Sequence, residues 1–366
     1  VDKRQADIQL ALEALLQAKA LKAARTREWY RWHVQAFRDW LVATDRSTRL
    51  ADLTGETVQG YLAYEASRNR LAHRPPRTTS DGHRAEWVEL PGRLSAHSLN
   101  SKIRCLRAFG RWLVKHHWLP ASPFEAIELA GAPKLRKKVL SADEINRIFA
   151  LLNAQIDIGA RDRAILWLFL DTGIRLSELA TLSLERINLT DQDDGPWVQV
   201  LGKDRKERRI GLCPGARLAI QHYVTFFRPE WVPFTPRRVR ELEERGIHAV
   251  DEPLFLTVRV PSLDRPAGQQ LLPNAIQLII NRLAKRSGIT GLSCHTFRRT
   301  FATQNLELGA SPLDIMHDLG HTSLTMTNYY ASLADQTRMQ RHRQFSYMQR
   351  LQTKPLGPTS RRQDDR

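Results

Sequence analysis

Cysteine is scarce in this sequence. Cys105, Cys213 and Cys294 are far apart and odd in number, so neither a disulfide framework nor a zinc site follows from them. A reducing cytoplasm is the expected setting. No run of about eighteen apolar residues occurs, and the opening VDKRQADIQL lacks the apolar core of a signal peptide. A soluble, unexported protein without a membrane partner is expected. Internal repeats and low-complexity tracts are missing as well, which excludes a repeat array. Acidic residues are outnumbered: 39 Asp and Glu face 56 Lys and Arg, a formal net charge of +17. Such an excess favours a polyanionic partner, with nucleic acid ahead of a membrane surface, over a basic protein that merely stays soluble. What the chain does have is an apolar content of 42% over 366 residues, enough for real cores and two domains.

Helical periodicity dominates the first 120 or so residues. Helices are expected over 5–24, over 27–43 with Trp29, Trp32, Phe37 and Trp40 among its apolar residues, from Thr54 onward, and over HSLNSKIRCLRAFGRWLVKHHWL. Between the last two, residues 73–93 read as a loop broken by Pro75-Pro76. Pro123 and Pro133 bracket a connector ending in the cationic run Lys134, Arg136, Lys137 and Lys138, and Ser141-Ala142-Asp143-Glu144 then reads as a capping box. The expected division is therefore a helical domain over 1–130, a basic linker over 131–140, a second domain over 141–351 and a polar tail over 352–366. A basic linker suits a clamp around duplex DNA, because each neutralised phosphate releases counterion.

In the second domain an apolar helix should cover 160–171 and a short one should open at Arg175. Trp197–Leu201 and Arg208–Leu212 alternate like strands around the turn Gly202-Lys203-Asp204. Helices follow over 215–228, 236–245 and 273–287, with a short strand at 254–258. Residues 229–252 look like an insertion. Near the end, CHTFRRTFATQNL reads helical, so His295 and Arg298, three apart, share one face. A guanidinium forks onto two oxygens while an imidazole donates or shuttles a proton, a pairing that suits a phosphate. Ser311-Pro312 opens another helix, Gly320 stops it, and His321 follows at once. Nine residues later stands Tyr330, a phenol that nearby cations could activate toward phosphorus. Taken singly, each of Arg175, Lys203, His295, Arg298, His321 and Tyr330 has an ordinary structural explanation. Taken in this order and context, they do not.

The segments DTGIRLSEL, VLGKDRKERRI, CHTFRRTFAT and LGHTSLTMTNYY resemble the signature of the tyrosine recombinase, or phage integrase, family. The resemblance spans about 139–351. The N-terminal part resembles that family's core-binding domain in size and helix content alone. It implies a mainly helical fold with a small β-hairpin or sheet, arranged as a two-domain, C-shaped clamp on DNA. Carried over by residue, it implies that Arg175 and Arg298 hold the non-bridging oxygens of the scissile phosphate. Tyr330 is then the nucleophile that leaves a 3′-phosphotyrosyl bond, and Lys203 the proton donor to the departing 5′-oxygen. His295 is implied as base or hydrogen-bond partner, His321 as a further donor, and Glu178 as the acid that orients His295 or Arg175. Arg299 and Tyr329 compete for two of these roles. Adjacent helical residues point about 100° apart, and the three-residue spacing from His295 favours Arg298. The nine-residue step from His321 matches Tyr330.

No metal or other cofactor is expected, since carboxylates do not cluster with these residues and arginines take the place of a two-metal clamp. The implied partners are double-stranded DNA at specific sites and three further copies of the chain, docked through a helix over 333–351 into a homotetramer. The expected place is the cytoplasm, on the nucleoid. Integration or excision of a mobile element is the favoured role, because segment 229–252 and the N-terminal helix lengthen the chain beyond a minimal housekeeping recombinase. Chromosome-dimer resolution, type IB topoisomerase-like relaxation and a non-enzymatic DNA-binding protein are the alternatives.

Overall fold

The computed structural model describes residues 3–20, 24–71, 89–131, 137–192, 195–202, 206–258 and 267–321. The chain divides into two compact units, Val1–Leu135 with Glu244–Gly246, and Arg136–Glu243 with Ile247–Arg366. The expected architecture, mainly helical with a small antiparallel sheet, is the observed one. Among the described residues no helix is long and apolar enough to cross a membrane.

The first unit holds α1 (Ile8–Ala18), α2 (Ala24–Ala43), α3 (Gly55–Ser67) and α4 (Ala96–Lys115). Each of three helices starts where a side-chain oxygen accepts an otherwise orphaned backbone N–H: Asp7 from Gln9, Thr54 from Thr57, and Ser95 from Ser98. The apolar stripes meet in a core containing Leu12, Val34, Phe37, Tyr61, Leu106 and Phe109. Glu65 is buried in this unit and takes ion pairs from Arg68 at 2.7 Å and Lys102 at 3.3 Å. One expectation needs correcting. Glu89–Arg93, read as loop, is a strand (β2) paired antiparallel with β1 (Asn69–Leu71). Its composition, with Pro91 and Gly92, gives no strand signal, and the pairing is set by a partner about twenty residues away.

The second unit opens with α5 (Ala142–Ala150), where Ser141 and Glu144 form the expected capping box. Helix α6 (Asp157–Thr172) is the spine of this unit and packs against α8 (Pro214–His222) and α11 (Cys294–Glu307). Phe169 on α6 stacks on Phe297 of α11 with ring centroids 5.8 Å apart. The remaining helices are α7 (Leu176–Ala180), α9 (Pro236–Glu244), α10 (Pro273–Ser287) and α12 (Pro312–Leu319). The antiparallel sheet has the order β3 (Ile187–Asn188), β4 (Trp197–Leu201), β5 (Glu207–Gly211).

Strand β3 carries too short a pattern to be read from sequence. The strand expected at 254–258 is replaced by isolated bridges, Ser183 to Pro253 and Leu256 to Gln270. Segment 229–252 contains α9 and buries Leu242, and it is tied down by Val232 N–H to the Gly268 carbonyl and Val250 N–H to Gln270.

Candidate active site

Two chain reversals and one helix start position the polar residues of the second unit. Helix α6 ends at Gly173, whose φ of 59° is left-handed, and Ile174 is buried beyond it. A Cβ at Gly173 would stand 2.5 Å from Phe301 and 2.7 Å from Leu319, so the turn can pack only as glycine. Arg175 then caps α7. The Glu178 carboxylate reaches back to accept the Arg175 backbone N–H at 2.9 Å and its Nη1 at 2.7 Å.

On α11, Ser293 caps the helix, His295 lies on the exposed side of the first turn, and Arg298 is 4% exposed. Helix α12 runs from the Ser311 cap to Gly320, again left-handed at φ 58°. There Gly320 N–H donates to the His317 carbonyl and His321 N–H to that of Met316, a Schellman turn.

Three guanidiniums converge on that turn. Arg208 Nε donates to the Asp318 carbonyl at 2.7 Å, Arg298 Nη2 to Leu319 at 2.6 Å, and Arg175 Nη2 to Gly320 at 3.0 Å. The last carbonyls of a helix have no intrahelical partner and carry the negative end of its dipole, so successive cations fit there. Arg298 Nη1 also donates to the Gly173 carbonyl at 2.6 Å, joining the two left-handed turns. Arg208 forks onto Glu178 at 3.0 and 2.8 Å. Glu178 is thus one carboxylate shared by Arg175 and Arg208. Burial would raise its pKa, but these two arginines hold it below the usual carboxylate range.

Both histidines are kept neutral. Partial desolvation, then Arg298, Arg175 and Arg208, lower His321 to about 4. Desolvation, then Arg298, Arg299, Lys137 and Arg175, lower His295. Arg298 Nη2 lies 3.0 Å from His321 Nε2. A guanidinium only donates, so Nε2 accepts and the ring proton sits on Nδ1.

Arg175, Arg298 and His321, expected from sequence, are therefore brought together, and Glu178 joins them through Arg175. The hydrogen bonds of Glu178 go to Arg175 and Arg208 rather than to His295. Arg299 turns away, with Nε donating to the Lys138 carbonyl at 3.1 Å and Nη2 to Thr296 at 3.0 Å. The described part of the basic run is Lys137 and Lys138, and Lys138 pairs with Glu144 at 2.6 Å. Lys134, Arg136, Lys203, Tyr329, Tyr330 and the helix expected over 333–351 lie outside the described residues. Strand β4 ends next to Gly202, whose N–H donates to the Lys206 carbonyl at 2.8 Å, closing the described root of the hairpin on which Lys203 falls.

Arg208 is the residue that sequence reading missed. Its signal was present: in β5, Arg208 alternates in step with buried Ile210, which puts a cation on the apolar face of the strand.

A helical unit that holds three guanidiniums against one carboxylate, beside two neutral imidazoles, is built to receive an oxyanion. Residues 138–337 match the model of the phage integrase family, more than half of the chain, and the protein belongs to that family, the tyrosine recombinases. The chain is 30% identical over 238 residues to the tyrosine recombinase XerC of Oceanobacillus iheyensis, covering 65% of this chain and 70% of that protein. It is 30% identical over 233 residues to XerC of Myxococcus xanthus, covering 63% and 70%. Its fold is similar to that of the Tn1549 transposon integrase in complex with transposon right end DNA (15% identity, TM-score 0.63), covering 92% of this chain and 99% of that one. It is also similar to a lambda integrase dimer bound to a COC′ core site (17% identity, TM-score 0.59), covering 89% and 95%.

Proposed function

We propose that this recombinase binds double-stranded DNA and cuts and rejoins it at specific sites through a 3′-phosphotyrosyl intermediate. The observation that carries the reading is the convergence of Arg175, Arg208 and Arg298 on the C-terminal turn of α12, with Glu178 as the one carboxylate bonded to them among the described residues. The surplus of positive charge complements a phosphate, and more so the extra charge of its pentacoordinate transition state. Arg175 is the accessible member: its side chain is 32% exposed, and two of its five N–H donors are engaged by described residues.

In this reading Arg175 and Arg298 hold the non-bridging oxygens. The Tyr330 oxygen attacks phosphorus, the bond to the 5′-oxygen breaks, and Lys203 protonates that oxygen as it leaves. Neutral His295 accepts the phenolic proton or a hydrogen bond from it, and His321 adds a donor to a phosphate oxygen. Lys134, Arg136, Lys137 and Lys138 contact the DNA backbone. Residues 1–130 form the core-binding domain, 131–140 the linker, and 141–351 the catalytic domain ahead of the tail.

Covalent capture on a nicked duplex in EDTA tests this. Wild type and Tyr329→Phe are expected to form the adduct, and Tyr330→Phe to lose it. The reverse pattern identifies Tyr329 as the nucleophile. A metal-dependent nick without an adduct removes the recombinase chemistry altogether.

Two biological roles share this chemistry. The added segment 229–252 supports integration or excision of a mobile element, and similarity to the XerC recombinases supports a housekeeping role such as chromosome-dimer resolution. Mapping the covalent cleavage positions on native DNA separates them, as cuts at element ends favour the first and a single chromosomal site the second.

A further inference from the structure

Arg208 touches three parts of the site at once. Its Nη1 and Nη2 fork onto both oxygens of Glu178, and its Nε holds the Asp318 carbonyl, three residues before His321. Its side chain also lies under the hairpin root: a Cβ placed on Gly202 would stand 3.4 Å from Arg208 Nη1 and 3.8 Å from Glu178 Oε1. Gly202 immediately precedes Lys203. With 8% of its surface exposed, Arg208 is buried among protein groups, whereas Arg175, on the other side of the same carboxylate, is a third exposed.

These placements assign different work to the two arginines. Without Arg208, the Glu178 side chain would be held only by Arg175 itself, through its backbone N–H and its exposed guanidinium, and would have no fixed point outside the residue it orients. Forked from behind by a second, rigid guanidinium, the carboxylate plane is fixed, and so is the direction from which Arg175 projects. Stability alone is a poor account of a guanidinium here, since replacing a buried ion pair with apolar groups of similar size is often neutral or stabilising.

We propose that Arg208 is a positioning residue for strand cleavage, locking Glu178 as the counter-ion that orients Arg175 on the scissile phosphate while bracing the α12 turn that presents His321. The inference rests on the proposed cleavage chemistry. It also ties strand β5 to the arginine and histidine arms of the site, so that one buried fork sets both.

The test measures adduct formation at saturating protein on two nicked duplexes containing the mapped cleavage site. One has an ordinary scissile phosphodiester. The other carries a methylphosphonate there, in which a methyl group replaces one non-bridging oxygen and removes the negative charge that Arg175 meets. Groups that orient the ligands of a catalytic metal contribute about 10–100-fold, and, Arg208 standing in the same relation to Arg175, a loss in that range is expected for Arg208→Ala on the phosphodiester. DNA affinity should stay within about threefold of wild type, because the effect falls on the chemical step.

On the methylphosphonate the ratio of wild-type to variant rate should contract to about threefold or less, since a poorly aimed Arg175 no longer matters. Arg208→Lys, which keeps the charge but not the fork, should lie between wild type and Arg208→Ala. If Arg208→Ala does not fold, Arg208→Lys alone is compared on the two substrates and must show the same contraction. An equal loss on both substrates, or no loss on the phosphodiester, overturns the proposal. A wild-type protein that forms no adduct on the phosphodiester is a different failure, that of the cleavage reading itself.

Discussion

Removing the carboxylate of Glu178 would leave Arg208 buried with no counter-ion and Arg175 without its anchor. Truncating one partner of a buried pair costs about 3–5 kcal/mol, most of it the penalty of the stranded charge. Glu178→Ala is therefore expected to lose stability on that scale in denaturant unfolding, and to lose cleavage as well. His321 gives a second prediction at this scale. Its ordinary value is near 6.5 and the folded protein holds it to about 4, so between those values the unfolded chain binds the additional proton. Stability on this account is full above about pH 6.5 and falls as pH drops toward 4, with His295 adding in the same direction. Melting temperature followed from neutral pH down to about pH 5 should decline, and His321→Gln should make the decline shallower.

Helix ends carry the site, which is why much of it is legible in the amino-acid sequence. Ser141 with Glu144, Ser311 with Pro312, and Gly173 and Gly320 are local signals whose physics is complete within four or five residues. Arg208 is legible there only as a cation on the apolar face of β5, and what it bonds is not. Its partners Glu178 and Asp318 lie 30 and 110 residues away, and no local rule announces them. Strands β1 and β2 escape in the same way, through pairing decided at a distance. Gly320 is where the element scale can be tested. An added Cβ would cost about 1–2 kcal/mol for the left-handed conformation and would stand 3.0 Å from Arg208 Nη1 and 3.4 Å from Arg175 Nη1. Gly320→Ala should therefore reduce the rate of adduct formation far more than its loss of melting temperature would suggest.

Across the whole molecule the net charge of +17 favours association with DNA, whereas the proposed cleavage chemistry falls to a few arginines around Glu178. The two are separable. In the tetrameric reading, residues after Leu333 dock one protomer on the next, so a chain ending there should bind a single site and form adducts normally yet assemble paired sites poorly in native gels. Recombination at the full rate by that shortened chain would remove the docking role.

Everything proposed for the site turns on a phenol accepting a phosphoryl group from DNA while guanidiniums absorb the charge. Mass-spectrometric mapping of the peptide that stays attached to DNA after cleavage in EDTA measures this directly. The account predicts a single phosphotyrosyl linkage at Tyr330, joined to the 3′ end of the broken strand, with a free 5′-hydroxyl on the other fragment. A linkage at another residue, or cleaved DNA with no peptide attached, would contradict it.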